Sequence, residues 1–163
     1  MRGLRLKFML ALYNGSSRIY AELFKANKKA WGIKKEDFLL YPKGSLGFEL
    51  GVFYQSKGFD VMPKLENHDV FHVISGIGTE IRDEIAMQYL LFGNGKSSLY
   101  LLAMLFIGTF VFPEHFRLYR QSYLQGKQMA RFFDLEFKDH LENQVYEIQS
   151  SILHNQELIR IKN

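Results

Sequence analysis

Two histidines four residues apart, His68 and His72, are the feature of this 163-residue sequence best suited to chemistry. They stand in Asn67-His68-Asp69-Val70-Phe71-His72, and the chain runs on through Gly76-Ile77-Gly78-Thr79-Glu80-Ile81-Arg82-Asp83-Glu84. On a helix, positions i and i+4 lie one turn apart on the same face, so both imidazoles can reach one ion. Gly76 and Gly78, with Thr79 as an N-cap, signal a sharp turn into a second helix. If the two helices fold back about Ile77, the level midway between the histidines, at Val70, mirrors onto Glu84. Glu84 then faces the gap between the imidazoles, although a rotation of the second helix would bring Glu80 or Asp83 there instead. With Asp69 beside His68, the set is two imidazoles and one or two carboxylates. Such nitrogen and oxygen donors suit a divalent ion, whether zinc, iron(II), manganese or cobalt.

Other metal chemistries fit less well. The chain has no cysteine, which excludes disulfides, thiolate zinc sites and iron-sulfur clusters. A zinc-protease helix needs glutamate directly after the first histidine, where this chain has Asp69. A His-Asp phosphohydrolase needs a further histidine upstream, and His68 is the first in the chain. His115, His140 and His154 are scattered in polar surroundings and carry no evident role.

The elements that must position these residues read as helices. Pro42, Pro63 and Pro113 fall between apolar-periodic segments rather than inside them. The periodicity predicts helices over about 3–13, 16–30, 45–57, 66–75, 79–92, 96–111, 114–125 and 136–153. Ser16 and Ser45 are expected N-caps, Gly58 an expected stop, and Leu141, Val145, Ile148 and Ile152 one face of the last helix. Gly47 and Gly51, one turn apart, predict that another segment packs closely against their helix. No alternating pattern calls for strands. The expectation is an all-α fold: a single helical domain over 1–163, a bundle of about seven or eight helices with a helix-turn-helix metal site.

An apolar fraction of 47%, with 15% aromatic residues, is enough for a packed core with apolar surface left over. That surplus makes a homodimer plausible on composition. Residues 1–35 set nine basic side chains against Glu22 alone, although the whole chain carries only +4, so the remainder is net acidic. Arg2, Arg5 and Lys7 lie among Leu4, Leu6, Phe8 and Leu10, a mixture that favours an anionic membrane surface over nucleic acid as partner. The apolar stretch Phe8 to Tyr13 is too short and lacks the cleavage pattern of a signal peptide. The longest one, Leu99 to Phe112, falls short of the roughly 18 residues that cross a bilayer as a helix.

The pattern His68-Asp69-x-x-His72, then eleven residues, then Glu84 resembles the signature of the coenzyme Q (ubiquinone) biosynthesis family known as the fourth Coq protein. Ser45-Leu46-Gly47 ahead of an aromatic-rich helix is similar to that family's Thr-Leu-Gly segment. Gly126-Lys127 followed by Phe133-Asp134-Leu135-Glu136-Phe137 resembles its glycine-basic and Trp-Glu region. The likeness covers roughly residues 40–155, leaving the basic 1–35 outside it. It departs at Lys64-Leu65-Glu66-Asn67, where the family is arginine-rich, at Asp83 in place of glycine, and at Lys138 in place of glutamate.

The resemblance implies a helical protein peripheral to membranes, hence cytoplasmic at the inner membrane. It implies a divalent metal ion held by His68, Asp69, His72 and Glu84 beside an apolar groove for a polyprenyl tail. The implied activity is oxidative decarboxylation at C1 of a polyprenylated aromatic precursor, and an organising role among other quinone-biosynthesis enzymes goes with it. The alternative is a non-catalytic module that binds a prenyl lipid or quinone. Ile85, Met87, Tyr89, Leu90 and Leu91, with Leu101, Leu102, Leu105 and Phe106, either sheathe that tail or form core. Lys127 and Arg131 either attract a head group or form a solvated basic face.

Overall fold

Capping residues decide where the helices begin and end, and several act as the sequence suggests. In a computed structural model that describes residues 3–9, 11 and 29–153, α1 covers residues 3–9 and α2 is the short Lys35–Phe38. Then follow α3 (Leu46–Lys57), α4 (Glu66–Ser75), α5 (Ile81–Gly93), α6 (Leu99–Val111), α7 (Phe116–Gln128) and α8 (Val145–Leu153). The Ser45 hydroxyl accepts the Phe48 N–H at 3.3 Å, and Gly58 stops α3 at φ 66° in the left-handed region. Ser98 caps α6 in the same way, accepting from Leu101 N. Pro113 opens a 3₁₀ turn, Pro113–His115, and the chain bends by 103° between α6 and the segment that follows. No strand occurs among the described residues. The protein is all-α, as the periodicity predicts. The expected helix 16–30 and its Ser16 cap lie almost wholly outside the described residues, as does His154.

Two expectations need correction. Helix α5 begins at Ile81 with Glu80 in the N-cap position, so Thr79 belongs to the turn rather than capping the helix. The helix expected over 136–153 is split into a 3₁₀ turn, Phe137–His140, and α8. The cause is tertiary. The first N–H groups of a helix have no partner within it, and at α3 those of Leu46 and Gly47 bond to the carbonyls of Asn143 and Leu141 at 2.8 Å each. Carbonyls drawn into that crossing are not free to continue a helix through 141–144.

Glycines mark two close approaches between helices. A Cβ on Gly47 would run into the Tyr41 ring, and one on Gly51 into Leu39 and Phe38, so α3 lies directly on α2 and the turn after it. The close packing expected at those positions is therefore real. Gly93 of α5 and Gly126 of α7 form a tighter pair. A Cβ on Gly93 would strike the Tyr123 carbonyl, and one on Gly126 the Leu90 carbonyl. Buried Asn94 closes this crossing: its amide donates to the Gly126 and Ala130 carbonyls, and its side-chain oxygen accepts from Phe132 N and Phe133 N.

Helix α5 lies between two apolar clusters. Met87, Leu90 and Leu91 join Phe38, Tyr54 and Phe71 on one side, while Ile85 and Ala86 join Met104 and Tyr119 on the other. Of the two uses open to the apolar residues of α5 and α6, tail sheath or core, most serve as core. Ile85, Met87, Leu90, Leu91, Leu101 and Leu105 are core, and Leu102 and Phe106 face outward.

Candidate metal centre

The turn between α4 and α5 brings the donors together. Gly76 ends α4 at φ 68°, a left-handed conformation that suits glycine, and its N–H bonds back to the His72 carbonyl. Ser75 steadies the turn, donating to Phe71 O and accepting from Ile77 N. The Ile77 carbonyl comes to 3.0 Å from His72 Nδ1. A carbonyl can only accept, so Nδ1 carries the hydrogen and Nε2 is left for the other side of the ring. Phe53 of α3 stacks on that ring at 5.7 Å and 13°.

Across the turn, Glu84 meets both histidines. Its Oε1 lies 3.3 Å from His72 Nε2 and its Oε2 lies 3.4 Å from His68 Nε2. His72 and Glu84 are buried. One donor atom from each of the three lies within 4.8 Å of the others. Donors about 2.0–2.1 Å from a tetrahedral zinc stand roughly 3.3 Å apart, so the three side chains fit a divalent ion in spacing and in donor chemistry. The alternatives to Glu84 point elsewhere: the exposed Glu80 pairs with Arg82 at 3.1 Å, and Asp83 also faces Arg82, at 3.5 Å.

Asp69 stands beside this trio at the other ring nitrogen of His68. Its Oδ1 is 3.6 Å from His68 Nδ1, and its Oδ2 accepts the Tyr54 hydroxyl at 2.8 Å. Burial, reinforced by the charge and hydrogen bond of Asp69, pushes the Tyr54 hydroxyl far above the ordinary tyrosine range, which keeps it a donor. The charges in the cluster sustain one another. Burial alone would lower the pKa of His68, but hydrogen bonds to Asp69 and Glu84 outweigh it and raise the value to about 9. Burial alone would raise that of Glu84, yet the His68 and His72 imidazoles packed against its carboxylate outweigh this and hold it at about 2.

The residues flanking the motif anchor α4 from its N-terminal side. Glu66 Oε1 accepts the Trp31 N–H at 2.9 Å, and Asn67 Oδ1 accepts the Phe137 N–H at 3.2 Å. Asn67 also donates to Glu136, and Lys138 donates to the Trp31 carbonyl. Three of the positions that depart from the family pattern thus work in this chain as a polar brace behind the histidines.

The trio lines a cavity of about 530 Å³, whose apolar walls come from Phe53, Phe59, Met62, Leu65 and Ile81. None of these was legible as a wall from sequence, nor was Tyr54 or the Ile77 carbonyl. A buried tyrosine on an amphipathic helix looks like core, and a backbone carbonyl has no sequence signal. Lys127 lies in the last turn of α7 and Arg131 beyond its end at Gln128. Arg131 pairs with Asp134 and lies over the Phe133 ring, and Lys127 lies over Tyr123.

Known proteins resemble the chain in sequence pattern and in fold. The family model described as coenzyme Q (ubiquinone) biosynthesis protein Coq4 matches residues 36–156. A crystal structure of a protein from Nostoc punctiforme PCC 73102, provisionally assigned to ubiquinone biosynthesis, is similar in fold at a TM-score of 0.64 and 17% identity. That likeness covers 93% of this chain and 80% of the other. No sequence among curated proteins matches.

Proposed function

The chain belongs to the coenzyme Q (ubiquinone) biosynthesis family Coq4, and from that premise we propose that its cluster holds a divalent ion against the head group of a polyprenylated aromatic precursor, for oxidative decarboxylation at C1. The observation that carries this reading is the convergence of His68, His72 and Glu84 within 4.8 Å on the wall of a cavity that also presents Phe53, Phe59, Met62, Leu65 and Ile81. His68 Nε2, His72 Nε2 and the Glu84 carboxylate would hold the ion, with Asp69 beside them. A bound zinc, iron(II), manganese or cobalt ion would supply Lewis acidity toward the carboxyl and ring oxygens of an aromatic acid. Exchange of the carboxyl for a hydroxyl is a two-electron oxidation, which balances with water as hydroxyl source and molecular oxygen as acceptor, releasing carbon dioxide and hydrogen peroxide.

The chain's own groups do the rest. The Ile77 carbonyl fixes which nitrogen of His72 faces the site. Phe53 and Ile81 set apolar side chains beside the donors, and the exposed Phe59 and Met62 line the same cavity, where a prenyl tail would leave it. His72→Ala or Glu84→Ala should strip the ion and abolish rescue of a strain lacking its own family member, with helix content by circular dichroism unchanged. Full rescue by either variant would remove the catalytic reading and leave the protein a holder of prenyl lipids or quinones for other pathway enzymes.

We propose further that the protein works at an anionic bilayer surface, on the cytoplasmic face of the inner membrane. No helix among the described residues is long and apolar enough to span. Helix α6, however, turns Leu99, Phe106 and Phe110 outward at 82%, 76% and 80% exposure, and α1 exposes Leu4 and Phe8 beside Lys7. Flotation with phosphatidylglycerol vesicles should be lost in the double variant Phe106→Glu, Phe110→Glu. Should that variant still float but sediment as a smaller particle, the face is a dimer interface instead.

A further inference from the structure

Helix α1 lies outside residues 36–156, the segment that matches the family, and two side chains dock it. Met9 is fully buried in the cluster that includes Ile85, Met104 and Tyr119. Arg5 reaches the C-terminal end of α6. Its Nη1 donates to the Val111 carbonyl at 2.9 Å, its Nη2 donates to Glu114 Oε1 at 2.8 Å, and its guanidinium lies over the Phe112 ring at 5.5 Å. The last carbonyls of a helix have no partner within it and carry partial negative charge, so a cation is favoured at Val111. The Arg5 contacts nevertheless form a weak latch. The Arg5 and Glu114 side chains are 38% and 34% exposed, and ion pairs that wet hold loosely. Arg5 Nε is buried with no hydrogen-bond partner, one of two such side-chain atoms among the described residues. A buried donor left unpaired is a cost that undocking removes.

Beneath this helix is a chamber of about 640 Å³, walled by Gly3 and Leu6 of α1 and by Ile81, Arg82, Phe112 and His115. Thr79 and Ile81 wall both the chamber and the metal cavity. Ile81 stands three residues before Glu84 on α5, so the two share a helix face, and the chamber approaches the donors by a side that Phe59 and Met62 do not line. The outer face of α1 carries Leu4 at 76% and Phe8 at 55% exposure beside the exposed Lys7, a composition suited to an anionic bilayer surface. One short helix therefore has the chamber on one side and, on the other, residues that lipid would take up. We propose that α1 is a lid on a second entrance to the metal cavity, and that an anionic bilayer opens it. As Leu4 and Phe8 enter the leaflet, Arg5 leaves Val111 and Glu114, and the first turn of α1 swings off the chamber about Met9, which stays buried. The open chamber then faces the lipid phase from which a polyprenylated substrate arrives. The bilayer trigger rests on the reading that the protein works at such a surface; the latch does not.

The chain has no cysteine, so a single introduced thiol reports on the chamber. Phe112→Cys places one on a wall that is 5% exposed, and His115→Cys places one that keeps the ring beneath Arg5. Ser122→Cys, buried on α7 and not on the chamber wall, is the control. The test times their reaction with pyrene maleimide, which partitions into bilayers, in solution, with phosphatidylcholine vesicles and with phosphatidylglycerol vesicles. Phosphatidylglycerol should speed both chamber thiols about 10-fold over phosphatidylcholine, as the open population rises, and leave the control unchanged. Adding Arg5→Ala should make the chamber thiols react that fast in solution without any vesicle. Adding Leu4→Glu with Phe8→Glu should abolish the vesicle effect and keep the slow rate in solution. Chamber thiols that stay slow in Arg5→Ala would overturn the lid, and so would a control that accelerates as much as they do, because the whole fold would then be loosening. A protein that binds no phosphatidylglycerol vesicles would overturn the membrane reading and the bilayer trigger together, while the rates of Arg5→Ala in solution still decide the latch.

Discussion

The two ends of α5 are held in opposite ways. Its first turn presents Glu84 across a polar gap to His68 and His72, side chain to side chain. Its last turn brings Gly93 against α7 at Gly126, backbone to backbone, with no side chain between. At one end the sequence adds ionisable groups, which attract each other yet are costly to bury. At the other it removes everything beyond the Cα. The crossing fixes the helix that holds the Glu84 carboxylate between the two imidazoles.

The contrast predicts very different sensitivities. The largest effect should come at the glycine crossing. Gly126→Val places branched carbons where the Leu90 carbonyl already sits, and should destabilise the protein by about 4 kcal/mol or more. Urea unfolding followed by circular dichroism measures this; a loss under about 1 kcal/mol would mean the helices can separate and the contrast is false.

The smaller effect lies at the polar end and depends on pH. In metal-free protein the pKa of His68 is raised from 6.5 to about 9, so its contribution is complete below about pH 6.5 and is lost as pH rises through 9. That of Glu84 is lowered from 4.5 to about 2, so its contribution is complete above about pH 4.5 and is lost as pH falls through 2. The cluster should therefore stabilise the apo protein most between about pH 4.5 and 6.5, and Glu84→Gln should flatten both shoulders. Zinc should reverse the alkaline decline, because the ion requires His68 without its proton. Unfolding free energies across a pH series, with and without zinc, would show whether both shoulders belong to this cluster.

Much of this was legible in sequence, for physical reasons that differ by element. The α4-turn-α5 unit was readable because its ligand register depends on local quantities only: the i, i+4 spacing of His68 and His72, the glycines of the turn, and the mirror position of Glu84. Helix α3 was readable from Ser45 and Gly58. By contrast, α2 has four residues, too few to show a period. The split of 136–153 depends on Asn143 and Leu141 meeting α3, a partner distant in sequence. The apolar residues of α5 could not be sorted into core and ligand wall, since both uses select the same side chains. Tyr54 escaped notice because a buried tyrosine that packs and one that also donates to a carboxylate have the same letter.

The carbonyl of Ile77 belongs to the loop that joins the donors it serves, so both imidazoles, the carboxylate and this orienting group all lie between positions 68 and 84. Closing so short a segment sacrifices little chain entropy. The cluster can assemble by local folding, before contacts distant in sequence such as Gly93 with Gly126 have formed. An ion present at that stage meets a nearly finished chelate, and its capture lends the helical hairpin a stability that would otherwise wait for the later helices to arrive.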